Sequence, residues 1–157
     1  MRIRPVHAFL LVLLAFGALY GADWLFEGGL RRSNYERVTP GADGQVAIDV
    51  SALGNGQVRF FRFLNASNQE VKFFVGRDVG GVVQVGFDAS EVCAKRKRGF
   101  RADGEWMVCR TCDKSFRLSE TNSNPGGCAP AALAHRLVGT QLVLAESDIL
   151  AGWRLFH

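Results

Sequence analysis

The chain lacks the marks of a hydrolytic or nucleotide-using enzyme. It has no Ser/His/Asp arrangement, no phosphate loop and no H-E-x-x-H motif. No activated nucleophile is visible, so no catalytic residue is assigned. Histidine is scarce, and only His135 lies well inside the domain, where it reads as a surface or capping residue. Internal repeats and low-complexity blocks are absent. The net charge of +4 is modest and comes with no recognition motif, so nucleic acid is not an expected partner. Cysteine is absent outside a single window.

What is present points first to a membrane. Residues 6–26 read VHAFLLVLLAFGALYGADWLF, with Asp23 the one fully charged side chain. About 20 apolar residues span a bilayer as a helix. Tyr20 and Trp24 fall where interfacial aromatics belong, and Arg2 and Arg4 precede the run. A cleaved signal competes with an uncleaved anchor. Cleavage after Ala22 or Gly21 would put Tyr20 or Leu19 at the −3 position, and both are too bulky. Cleavage after Gly17 suits Ala15 at −3, but the apolar run continues beyond it. The expectation is an uncleaved single transmembrane helix over 1–26. A short tail before one anchor favours a C-terminal domain outside the cytoplasm, although Arg31, Arg32 and Arg37 on the other flank weaken that signal.

Residues 27–44 mix charges with Gly28, Gly29, Pro40 and Gly41 and read as a linker. The remainder, 45–157, reads as a compact, mainly β domain. Its 12 Phe and 18 Gly, counted over the whole chain, suit turn-rich sheet structure. Candidate strands are 45–50, 57–64, 70–76 and 82–88, then 100–101 with 106–108, and 137–138 with 141–145. Asn65–Asn68, Gly80-Gly81, Ala102-Asp103-Gly104 and Gly139-Thr140 supply hairpin turns. Outside the anchor, 146–151 is the one plausible helical turn. Phe60, Phe61, Phe63, Phe73 and Phe74 read as strand residues with at least one face in the core.

The four cysteines are Cys93, Cys109, Cys112 and Cys128, spaced C-x15-C-x2-C-x15-C. Four thiolates suit a tetrahedral metal or an iron–sulfur cluster. Cys109-Arg110-Thr111-Cys112 follows a strand-like run and can form a knuckle whose backbone N–H groups face the thiolates. The residue after such a knuckle often takes positive φ, and here it is Asp113, which tolerates that conformation. Gly126-Gly127-Cys128, bracketed by Pro125 and Pro130, reads as a shaped ligand loop. Cys93 runs into the basic segment Lys95–Arg98, which is a solvated hairpin loop, a docking surface for an acidic partner, a patch drawn to anionic lipid headgroups, or a field that stabilises thiolates. Three chemistries remain open for the thiols: a metal or cluster site, two disulfides, or a redox dithiol at the close pair.

Several pieces together resemble a known family. They are Gly86-Phe87-Asp88-Ala89-Ser90-Glu91-Val92-Cys93, Gly99-Phe100, Met107 to Cys112, Phe116, and Gly126-Gly127-Cys128-Ala129-Pro130. Their order is similar to that of FtrD-like domains, membrane-anchored proteins predicted to contain iron–sulfur centres and linked to bacterial iron transport. The resemblance runs from about Phe60 to Phe156. It implies an inner-membrane location, an iron–sulfur cofactor at Cys93, Cys109, Cys112 and Cys128, and a membrane transporter or redox carrier as partner. Zinc or copper in a metallochaperone or accessory module is the alternative, and a disulfide-stabilised interaction domain is the third. The implied role is electron transfer or metal handling rather than enzymatic catalysis. This chain departs from the family pattern at Ser90, where the resemblance implies the first cysteine of a C-x2-C pair, and at Ala94 and Ala129.

Overall fold

The computed structural model describes residues 35–123 and 126–157. Among them no helix is long and apolar enough to cross a membrane. The expected anchor over 1–26 lies outside the described residues.

The described part is mainly β, built from three small sheets. The central one joins β1 (Glu36–Val38), β3 (Val58–Leu64), β4 (Glu70–Arg77) and β5 (Val83–Phe87) in the order β1-β3-β4-β5. A second sheet orders β2 (Gln45–Asp49), β10 (Gln141–Ala145) and β9 (Arg136–Val138) as β2-β10-β9. The third comprises β6 (Phe100–Asp103), β7 (Trp106–Cys109) and β8 (Ser115–Arg117). A short α-helix of six residues, α1 (Glu146–Ala151), follows β10.

Side-chain alternation explains the layering. Successive residues of a strand face opposite sides of a sheet. Phe61, Phe63, Phe73, Val75, Val85 and Phe87 point to one side of the central sheet and pack with Val46, Ile48, Leu142, Leu144 and Ile149. Phe61 and Phe73 sit opposite one another in register, and their rings stack at 5.4 Å. Phe74 points to the other side, into a second cluster with Phe100, Met107, Cys109 and Leu118, with Phe60 packed against it. The five residues of β5 are all buried because both faces of that strand are covered. Gly86 permits this close approach: a Cβ there would lie 2.8 Å from the Phe74 ring and 2.8 Å from Thr121. The expected core phenylalanines therefore divide between two cores.

The expected strands and hairpins are present. The chain reverses between β3 and β4 at Asn65–Asn68, with Asn68 at φ 60°. Two strands fall where sequence patterning does not place them. β1 lies inside the segment read as linker, and it pairs parallel with β3. Glu36 reaches Arg59 at 2.6 Å, a contact that local composition cannot reveal. β8 is three residues long and pairs with β7 just past the knuckle.

Candidate metal centre

Three separate stretches carry the thiols together. Beyond β5 the chain makes a tight turn in which the Cys93 N–H donates to Ser90 Oγ at 3.1 Å and the Ala94 N–H donates to the Ser90 carbonyl at 2.9 Å. This turn ends in Cys93. The Cys128 loop returns beside the same strand. Phe87 N–H donates to Ala131 O at 2.8 Å, and Ala131 N–H donates to Ala89 O at 3.0 Å. A further bridge pairs Gly86 with Ala132. That pairing holds Cys128 against Cys93 although 35 positions separate them.

The third stretch is the knuckle. Cys109 ends β7 opposite Phe100 in register. Asp113 N–H donates to Cys109 O at 2.9 Å, and Cys109 N–H donates to Lys114 O at 2.9 Å. Asp113 takes φ 56°, as the sequence reading expects. Backbone N–H groups of Thr111 and Cys112 face the Cys109 sulfur, and that of Lys114 faces Cys112. Arg110 N–H donates to Gly99 O at 3.0 Å and its Nε to Phe100 O at 2.9 Å, which fastens the knuckle to the segment after Cys93.

The sulfurs of Cys93, Cys112 and Cys128 lie within 4.8 Å of one another, a group able to hold a metal ion. Cys93 and Cys128 are 3.8 Å apart. Metal–sulfur bonds of about 2.3 Å in a tetrahedron space the sulfurs by about 3.8 Å, so the donor set fits a thiolate-bound metal. Cys109 is buried beside this trio and interacts with the thiols of Cys112 and Cys93. All four thiols are free. Burial, and then the hydrogen bond to Cys128, raises the Cys93 pKa. Burial also raises Cys109, against the opposing N–H donors of the knuckle. The Lys114 N–H, with donation from neighbouring thiols, lowers Cys112. Cys112 is exposed, so it is the sulfur that meets solvent first, and it ionises more readily than Cys93 or Cys109.

A family model described as membrane iron-sulfur containing protein FtrD-like matches residues 53–156. The chain belongs to the FtrD-like family. No curated protein matches it. The FtrD-like description agrees with a site built from soft anionic donors, since iron–sulfur centres are held by cysteine thiolates. In this FtrD-like chain the match covers all four cysteines, the whole of the second core, and the first core apart from Val46, Ile48 and Val50.

His135 stays out of the site; its ring nitrogen lies 2.9 Å from Leu133 O. The sequence reading missed a polar neighbour of the thiols. Asp88 is buried and accepts hydrogen bonds from Tyr35 Oη and from the Phe100 N–H at 2.6 Å. Burial pushes its pKa up to about 6, against those two donors. Asp88, Ser90, Cys93, Cys109 and Lys72 line one cavity of about 150 Å³. The available signal was an acidic residue directly after an apolar strand.

Proposed function

We propose that Cys93, Cys109, Cys112 and Cys128 together hold the iron–sulfur centre of a membrane-tethered protein that serves electron transfer or metal handling for an iron transport system. The carrying observation is the convergence of Cys93, Cys112 and Cys128 within 4.8 Å, with Cys109 in the adjoining knuckle. The family description supports the iron–sulfur assignment and the membrane association. The link to iron transport, the extracytoplasmic side and the uncleaved helix over 1–26 follow from the sequence resemblance and the apolar N-terminus.

A thiolate-bound iron, when present, supplies a one-electron ferric–ferrous couple. The protein's part is to hold and tune it. The N–H groups of Thr111, Cys112 and Lys114 stabilise thiolate charge, and Cys109 is shielded from water. The close spacing of Cys93, Cys112 and Cys128 suits three thiolates on a single ion, with Cys109 of the adjoining knuckle as the fourth donor in this reading, because a cluster with bridging sulfides sets thiolates of different irons farther apart.

Iron and acid-labile sulfide, measured per chain in anaerobically purified protein, test both levels of this reading. Iron without labile sulfide supports the single ion. Iron with sulfide keeps the function and replaces the ion by a cluster. Zinc alone removes the redox role and leaves a structural or metal-carrying module.

A further inference from the structure

The positive charge of this chain is concentrated around its thiols. Residues 93–117 contain eight Lys and Arg against three Asp and Glu, a balance of +5. The whole chain carries only +4, so everything outside that segment sums to −1. Lys95, Arg96, Lys97 and Arg98 begin two positions after Cys93, and all are exposed. Arg110 lies inside the knuckle, and exposed Lys114 lies two positions past Cys112. The two arms are joined, since Arg98 Nη1 donates to Arg110 O at 3.4 Å.

Several of these charges are uncommitted. Lys95, Arg96, Lys97 and Lys114 make no ion pair with any described residue. Arg101 and Arg117, by contrast, are engaged with Asp103 and with the Trp106 ring. Within the basic collar, the Cys112 sulfur belongs to an exposed residue, and Val92, next to Cys93, is 64% exposed. The acidic neighbours are Glu91, which pairs with Arg154 at 3.9 Å, and Asp113, so cations outnumber anions here. An apolar spot beside an excess of one charge is the anatomy of a transient, electrostatically guided protein interface.

We infer that the basic collar of residues 95–98, Arg110 and Lys114 docks an acidic protein partner against Val92 and the edge of the thiol group. The inference rests on the thiols being the working centre. A lipid surface would meet the same charges, but it offers neither an electron acceptor nor a soft sulfur or nitrogen donor that could take a metal from the thiols. Like-signed charge around the site steers an acidic partner into register and repels a basic one.

The test is equilibrium binding of the full chain to a fluorescently labelled plant-type ferredoxin, a small acidic carrier, with cationic cytochrome c as the opposite-sign probe. Binding of the acidic probe is expected to weaken about tenfold between about 20 and 200 mM salt. The variant K95E/R96E/K114E should weaken it about tenfold more at low salt. Lys97 is left in place because its φ of 52° makes it a poor site for a folding-neutral change. The matched variant R37E/R62E/R136E alters the same number of charges on the other two sheets and should bind as the parent does.

Equal weakening in both variants would overturn the inference, because net charge alone would then explain binding. Failure of the acidic probe to bind, or tighter binding of cytochrome c, would also overturn it. So would collar-dependent binding to phosphatidylcholine vesicles containing about one-third phosphatidylserine, with none to the acidic protein. An absorption spectrum of the same samples reports separately on the centre. A colourless protein that still binds through the collar keeps the surface and removes the iron, and a coloured protein that ignores the acidic probe does the reverse.

Discussion

Ser90 Oγ accepts the backbone N–H of Cys93 at 3.1 Å, and the same side chain opposes the burial that raises the Cys93 pKa. Ser90 is 1% exposed. Where the family resemblance implies a fifth cysteine, this chain has a side chain that shapes the turn presenting a ligand and eases that ligand's ionisation. Ser90→Ala would leave a half-buried N–H without its partner. The expected cost is about 1 kcal/mol of unfolding free energy, read from urea titration. Metal retention should also fall more steeply below neutral pH than in the parent, because Cys93 loses the side chain that opposes its raised pKa. Unchanged stability and retention would mean that the turn holds itself.

Asp113 carries the left-handed residue of the knuckle, at φ 56°. Asp113→Gly should be neutral or mildly stabilising, whereas Asp113→Val should cost about 1–2 kcal/mol and loosen metal binding. Thermal unfolding of the two variants, compared with metal content, checks this order. The reverse order would show that the Asp side chain, not its backbone conformation, is what the knuckle needs.

Gly99 and Gly104 both have positive φ, at 65° and 58°. A Cβ at Gly99 would lie 2.4 Å from the Asp88 carboxylate, whereas one at Gly104 meets nothing within 4 Å. Gly104→Ala should therefore cost about 1 kcal/mol, from backbone strain alone. Gly99→Ala should cost at least about 2 kcal/mol, because strain adds to a buried clash. Chemical denaturation of the two variants separates the contributions.

Asp88 gives the fold a pH dependence of definite sign. Burial raises its carboxyl to about 6, and an unfolded chain ionises near about 3.9. Below the lower value both states are protonated, and the contribution is fully present. As pH rises, the unfolded state releases its proton first, so stability falls until the native carboxyl ionises near the upper value. The loss is on the order of 2–3 kcal/mol. Asp88→Asn keeps a carbonyl to accept one hydrogen bond and cannot ionise. Its urea midpoint should vary less than the parent's across this range, and the thiolate contribution cancels in the comparison.

The thiols should differ in reactivity once metal is removed. Cys112 is exposed and its pKa is lowered, so it should be alkylated first. Cys109 is buried with a raised pKa and should react last. Timed iodoacetamide labelling with mass spectrometry gives the order directly.

The strands and hairpins were legible because their signals are local. Alternating Phe and Val set the faces, and Asn and Gly set the turns. The four cysteines were legible by residue type, and the knuckle by its spacing and the residue that follows it. Other features depend on contacts distant in sequence. β1 is a short, charged tripeptide that exists as a strand because β3 lies beside it and Arg59 pairs with Glu36. The closeness of Cys128 to Cys93 depends on the pairing of Ala131 with Phe87 and Ala89. Asp88 was visible as a motif letter, but its burial required the Cys93–Phe100 segment to fold over it.

The most direct test of the central claim is the visible absorption of anaerobically purified full-length protein before and after dithionite. A thiolate-bound iron centre predicts charge-transfer bands that bleach on reduction, return on reoxidation, and vanish when Cys109 and Cys112 are both replaced by Ser. A colourless parent protein containing one equivalent of zinc would contradict it.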